Sequence, residues 1–182
     1  VGWDEVPNAV ANGECPTVTP DVEPVLDGVI GILPLARGCM SDCSYCITKQ
    51  ATGRIESPSI ERNVDRAREL LEAGAAEIRI TGQDTGVYGL DRGERWLPDL
   101  LREICALDYD FRVRLGMANP WGVYPIREEL AALMADCETL YNFIHLPVQS
   151  GSDAVLSDMR RQHTVTEFRE IVNTFESVLE EW

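Results

Sequence analysis

Four times along the chain, a short run rich in β-branched and aromatic residues gives way to a loop and then to a stretch of helical periodicity. The runs are residues 29–35, 77–81 (EIRIT), 111–117 (FRVRLGM) and 141–148 (YNFIHLPV). Apolar residues then recur at spacings of three and four: Ile60, Val64, Ala67, Leu70 and Leu71 down to Gly74; Leu97, Leu100, Leu101, Ile104 and Cys105 within 96–106; residues 126–134; and Phe168, Ile171, Val172, Phe175 and Leu179 within about 166–180. That spacing predicts helices with one apolar face. Ser57 as cap, Pro58 in the first turn and Glu61 behind them predict where the first helix starts, and Gly74 predicts where it stops. Strands that alternate with helices imply parallel strands joined by right-handed crossovers. The expected fold class is therefore α/β, a partial (βα) barrel with four βα units visible and the last strands missing, since four units are too few to close a ring of eight. Residues 1–27 hold Pro7, Pro16, Pro20 and Pro24 without a sustained period. They are expected to form a linker or the tail of a preceding domain, with residues 28–182 making the first two-thirds of the barrel.

In such folds the functional loops lie at the carboxyl ends of the strands. The first of these loops reads Gly38-Cys39-Met40-Ser41-Asp42-Cys43-Ser44-Tyr45-Cys46, three thiols within eight residues in the order C-x3-C-x2-C. A loop this tight can aim three sulfurs at one centre, and the iron–sulfur cubane is the inorganic centre that thiolates hold best. Three ligands for four irons leave one iron open, and an open iron can be chelated by the amino and carboxylate groups of S-adenosylmethionine. A structural zinc site would need a fourth protein ligand, usually from a second pair, whereas Cys15, Cys105 and Cys137 are scattered singly. A ferredoxin would likewise use a fourth cysteine. Disulfides would leave an odd thiol in the loop, and no secretory leader opens the chain. Cys15, Cys105 and Cys137 read as small semi-buried hydrophobes rather than ligands.

Composition narrows the class further. The 182 residues can bury one substantial core, and no apolar run approaches the roughly 20 residues of a membrane helix, so a cytoplasmic protein without a membrane partner is expected. The charge is unusual: 31 acids against 16 bases give −15, and Lys49 is the only lysine. Such a surface repels phosphate backbones, which are held by clustered Lys and Arg. An acidic, lysine-poor surface also suits a salt-loving organism, in which ionic strength screens the repulsion. That second reading accounts better for the lack of lysine.

Several stretches taken together resemble the radical S-adenosylmethionine methylthiotransferases. They are the cysteine loop, Thr81-Gly82-Gln83-Asp84-Thr85-Gly86-x-Tyr88-Gly89, Arg114-Leu115-Gly116-Met117-x-Asn119-Pro120, and His145-Leu146-Pro147-Val148-Gln149-Ser150-Gly151-Ser152 with Met159 and Arg161 downstream. The Asp-Thr-Gly-x-Tyr-Gly loop and the Asn-Pro after the third strand resemble the archaeal and eukaryotic branch that acts on N6-threonylcarbamoyladenosine at position 37 of tRNA. The resemblance implies that Cys39, Cys43 and Cys46 bind a 4Fe-4S cluster. It also implies that Gly82, Gln83 and Asp84 line the methionine end of S-adenosylmethionine, that Gln149, Ser150 and Ser152 flank its adenosine side, and that Asn119 hydrogen-bonds a polar group of the cofactor. No catalytic residue beyond the cluster is implied. Gln83 and Asp84 read equally well as a loop that satisfies its own backbone.

Among the remaining polar and sulfur-bearing residues, His145 reads either as a satisfied strand histidine or as a cofactor contact, and His163 as a solvent-facing loop residue. Tyr45 reads as packing beside the cluster, and Met117 and Met159 as core. Members of this family also carry an amino-terminal domain with a second cluster and a small RNA-binding domain, and residues 1–27 with the lone Cys15 supply neither. The expected partners are tRNA, bound through the family's other domains, and an electron donor. Two alternatives stand beside this reading. One is the same chemistry on isopentenyladenosine or a ribosomal protein, and the other is a non-catalytic iron–sulfur or zinc module.

Overall fold

The computed structural model describes residues 23–179, so Cys15 and most of the expected linker lie outside the described residues. One four-stranded sheet organises the chain: β1 (Val25–Asp27), β2 (Ile30–Pro34), β3 (Glu77–Thr81) and β4 (Arg112–Leu115), lying side by side in that order. β1 pairs antiparallel with β2, while β2, β3 and β4 run parallel in the registers Leu33 with Ile80 and Ile80 with Leu115. β1 corrects one expectation, because residues 25–27 fall within the segment read as linker. The tight turn at Gly28, where φ is +60°, folds them back on β2.

The helices are α1 (Thr48–Thr52), α2 (Ile60–Glu72), α3 (Leu97–Cys105), α4 (Pro120–Val123), α5 (Arg127–Asp136), α6 (Asp153–Asp158) and α7 (Val165–Val178). The apolar stripes named above put Ala67, Leu70, Leu97, Leu100, Leu101 and Ile104 into one core with Leu33, Ile78, Ile80, Val113 and Leu115 of the sheet. Burial on this scale supplies most of the favourable free energy of folding. α7 closes the core with Ile171 and Phe175, packed against α5 and α4. Its start is fixed by a reciprocal cap: Thr164 Oγ1 accepts from the Glu167 N–H at 3.1 Å while Glu167 accepts from the Thr164 N–H, which satisfies two donors that a helix end otherwise leaves free. None of these helices is long and apolar enough to cross a membrane.

Two further expectations are corrected. The cap of α2 is Ser59, whose side chain accepts from the Arg62 N–H; Ser57 is buried and instead accepts from the Gly89 N–H at 3.0 Å. More consequentially, residues 141–148 do not form a strand. They run parallel to β4 and its continuation and share only the isolated backbone bridges Val113–Leu140 and Met117–His145 with it. Four steps on one side are matched by five on the other, so an extra residue bulges out near Phe143, whose N–H turns back to the Tyr141 carbonyl at 2.7 Å. A bulge of this kind interrupts the ladder, and Pro147 has no N–H with which to resume it.

Candidate active site

The cysteine loop leaves the end of β2 and crosses residues 53–56 at very close range. Arg37 and Glu56 exchange backbone hydrogen bonds at 3.2 and 2.8 Å, and the Cys39 N–H donates to the Gly53 carbonyl at 3.3 Å. Gly38 sits in this crossing with φ +82°, and a Cβ there would lie 2.1 Å from the Arg54 carbonyl oxygen. No other residue satisfies both demands, so the glycine ahead of the first thiol is required by the backbone path.

Beyond this crossing, Cys39, Cys43 and Cys46 line one recess of about 530 Å³ together with Gln83, Met117, Asn119, Gln149 and Arg161. The recess lies at the carboxyl ends of the parallel strands, fed by the loops after β2, β3 and β4 and by residues 147–149. Cys39 and Cys43 are half-buried and Cys46 is exposed. Among the described residues no three His, Cys, Asp or Glu side chains are gathered closely enough for a single metal ion; the thiols stand around the recess rather than at a point.

Polar donors already face two of the sulfurs. The Ser41 N–H reaches Cys39 Sγ at 3.4 Å, and Arg161 Nη1 donates to Cys43 Sγ at 3.3 Å. Burial pushes the Cys39 thiol up, opposed by the Ser41 bonds, whereas bonds from Thr48 pull the Cys46 thiol down. Of these shifts, that of Cys46 is toward the thiolate form that holds iron. Gln83 supplies a further fitting feature: its Oε1 is buried without a partner, a free acceptor on the recess wall suited to an ammonium group. Donor set and orphaned acceptor thus both fit a cluster with S-adenosylmethionine beside it.

The other sequence-predicted residues are placed unequally. Asn119 and Gln149 line the recess. Asp84 does not: it is buried, and its carboxylate accepts from the Gly86 and Asn119 N–H groups at 3.1 and 3.0 Å and from Asn119 Nδ2 at 2.8 Å. It staples the loop after β3 to the loop after β4, the backbone-satisfying alternative for this residue. Burial holds its carboxyl above the usual range despite those bonds and the nearby Arg161. Gly82, Ser150 and Ser152 lie outside the recess lining. Ser150 Oγ accepts from the Ser152 N–H, and Gly82 is an exposed loop residue. Tyr45 is exposed at the mouth of the recess, His145 is exposed and bridges to Met117, and Met117 lines the recess rather than the core.

His163 is the clearest correction. Expected in solvent, it is buried, with Nε2 donating to the Val148 carbonyl at 3.3 Å and Nδ1 unpartnered. Burial, reinforced by Arg161, holds its pKa below the usual value.

Two site features escaped the sequence reading. Arg161, noted only as part of a downstream pattern, spans Cys43, the Asn119 side-chain oxygen and the Pro147 carbonyl. α6, which delivers Arg161, also anchors the cysteine loop: the Ser44 N–H and Oγ donate to the carbonyls of Met159 and Asp158 at 3.1 and 3.0 Å. The signal available for α6 was the Ser152-Asp153 pair, a helix-start pattern.

Comparison with known proteins agrees with this geometry. The profile of the Radical SAM superfamily matches residues 33–180. The probable threonylcarbamoyladenosine tRNA methylthiotransferase of Archaeoglobus fulgidus is 43% identical over 157 residues, covering 84% of this chain and 37% of the relative. That of Methanothermobacter thermautotrophicus is 46% identical over 149 residues, covering 82% and 35%. The human threonylcarbamoyladenosine tRNA methylthiotransferase is 39% identical over 146 residues, covering 80% and 25%. The chain therefore spans little more than a third of the length of these archaeal relatives. Among solved structures, the radical S-adenosylmethionine methyltransferase TsrM from Kitasatospora setae superposes with a TM-score of 0.65 at 20% identity, over 83% of this chain and 29% of that one. The cobalamin-dependent radical enzyme OxsB gives 0.65 at 16%, over 81% and 22%; at these identities the likeness is one of fold. Three thiols on the loop after the first parallel strand, an α/β sheet of this topology and a profile match across most of the chain converge: the protein belongs to the radical SAM superfamily.

Proposed function

We propose that the chain carries the cluster- and S-adenosylmethionine-binding part of a transferase that adds a methylthio group to C2 of N6-threonylcarbamoyladenosine at position 37 of tRNA. The observation that carries this reading is the shared recess of Cys39, Cys43 and Cys46 with Gln83, Asn119 and Gln149 at the strand ends, in a chain 39–46% identical to proteins so named. A bound 4Fe-4S cluster with an open iron would supply the electron that cleaves S-adenosylmethionine to the 5'-deoxyadenosyl radical. The chain's own residues bind and orient. The three cysteines hold the cluster, Arg161 positions Cys43 and Asn119, Gln83 Oε1 takes the ammonium of the methionine end, and Asp84 keeps the two loops in register from below. Ser150 and Ser152, outside the recess lining, orient Gln149 from the adenosine side.

The complete reaction, with tRNA as partner, an external electron donor and a second cluster as sulfur carrier, is assigned to an enzyme of the length of the relatives. The acidic, lysine-poor composition supports an archaeal, halophilic and cytoplasmic setting. Anaerobic reconstitution followed by electron paramagnetic resonance tests the core of the reading. A 4Fe-4S signal that shifts on adding S-adenosylmethionine is expected; a signal indifferent to it would make the chain a non-catalytic iron–sulfur module, and one equivalent of zinc in place of iron would end the proposal.

A further inference from the structure

The sheet has two unlike faces. Leu33, Ile78, Ile80, Val113 and Leu115 point into the helical core, while the opposite face carries Glu77, Arg79 and Thr81 on β3 and Arg112 and Arg114 on β4. A parallel sheet covered by helices on both sides is apolar on both; on this second face Ile30 and Ile32 of β2 are apolar, but its β3–β4 part is built to meet something polar. Most of its charges are already engaged within the fold. Glu77 accepts from Arg79 Nε at 2.6 Å and from the Tyr141 hydroxyl at 3.5 Å, and Arg112 donates to the Glu138 carbonyl.

Arg114 differs. It is the register partner of Arg79, so the two lie level with each other and nearer the carboxyl ends of the strands than Arg112. Among the described residues it has no carboxylate partner; its guanidinium instead lies over the Phe143 ring, 4.6 Å from the centroid. A guanidinium stacked in this way is held in orientation while its in-plane N–H fork stays free, and that fork matches a carboxylate. Arg79, Thr81, Arg114, Gly116, Phe143 and His145 surround a recess of about 170 Å³, large enough for an amino-acid-sized group. The same two strands continue directly into the cluster recess, since Gln83 follows Thr81 by two residues and Met117 follows Gly116.

Resting on the proposed function, the substrate base carries at N6 a urea-linked threonine with a free α-carboxylate and a hydroxyl. We infer that Arg114, braced by Phe143, is the specificity-determining residue that takes this carboxylate and so sets the adenine with its C2 toward the cluster recess. Arg79 is not equivalent, because Glu77 already holds it. An isopentenyl group offers Arg114 nothing to bind, which gives the site a charge-based discrimination between the two modified adenosines.

The test uses the chain reconstituted with its cluster and S-adenosylmethionine, titrated by calorimetry with N6-threonylcarbamoyladenosine, its α-methyl ester and N6-isopentenyladenosine. The wild type is expected to bind the acid about tenfold or more tighter than the ester, as loss of one charge-assisted bidentate contact implies. Arg114→Gln is expected to erase that preference while leaving ester affinity within about twofold, and Arg114→Lys to restore part of it; iron content and melting temperature confirm intact folding. If Arg114→Gln weakens acid and ester equally, or keeps the acid preference, the role of Arg114 is overturned while the substrate reading stands. A wild type that prefers the isopentenyl nucleoside, or binds none of the three, overturns the substrate reading and this inference together.

Discussion

Replacing Gly38 by alanine isolates the close backbone crossing that aims the first thiol. Two penalties add at this position. A left-handed φ costs an L-residue roughly 1–2 kcal/mol, and φ here is +82°. The new Cβ would also sit 2.1 Å from the Arg54 carbonyl oxygen, far inside any real contact, so the two segments must part. Parting them breaks the two Arg37–Glu56 bonds and the Cys39-to-Gly53 bond, each contributing about 0.5–1.5 kcal/mol. The total is roughly 2.5–6.5 kcal/mol. Gly93 provides the control, with φ +88° but nothing within 4 Å of the built Cβ, so Gly93→Ala carries the first penalty alone. A protein of this size loses about 2–4 °C in melting temperature per kcal/mol. Thermal unfolding by circular dichroism should therefore show Gly38→Ala melting at least about 3 °C below Gly93→Ala, with lower iron content after reconstitution. Equal melting temperatures for the two variants would refute the reasoning, because the strain they share would then account for the whole effect.

Other expectations follow from single contacts. Tyr88, fully buried, donates its hydroxyl to the Pro58 carbonyl at 2.7 Å and accepts from Asn63 Nδ2 at 3.0 Å, and burial pushes its pKa up to about 12; Tyr88→Phe should cost about 1–3 kcal/mol in urea unfolding, and an unchanged midpoint would deny the network its role. For His163, whose folded pKa lies below that of the unfolded chain, the unfolded state takes up the proton first as pH falls. Stability should be lost as pH drops below about 6.5 and through the folded pKa, with a slope from this group of at most about 1.4 kcal/mol per pH unit, and His163→Gln should remove that component of the slope; identical pH profiles would contradict the assignment. Alanine at Cys39, Cys43 or Cys46 should abolish 5'-deoxyadenosine formation by the reconstituted chain, and wild-type yield from any of the three would remove that thiol from the ligand set. With a net charge of −15, the melting temperature should rise between dilute and molar potassium chloride as repulsion is screened; no rise would count against a halophilic surface.

The parts of the fold that were legible in the sequence are those in which one period persists over several turns. α2, α3 and α7 each repeat an apolar residue at every third or fourth position, and they appear within a few residues of where that spacing puts them. The fourth strand was misread because residues 141–148 keep a strand-like composition while the bulge near Phe143, a property of pairing rather than composition, breaks the ladder. α6 was missed because it buries only Leu156, too little to leave a periodic trace. The same contrast holds in the site. Three cysteines in a fixed spacing announce themselves, whereas Arg161 acts across 118 positions of sequence to reach Cys43, and the engagement of Asp84 with Asn119 rather than with the recess depends on a loop-to-loop approach that no local pattern encodes.

The short antiparallel strand β1 occupies the free side of β2, and that small hairpin makes the sheet directional. With β1 on that flank, no further strand can pair directly with residues 30–32 of β2, while on the other flank residues 140–145 run alongside β4. Sheet edges are where unrelated chains tend to add; here that edge is the three-residue β1, and the first parallel strand, whose carboxyl end opens into the three-thiol loop, has its residues 30–32 paired with the chain's own backbone.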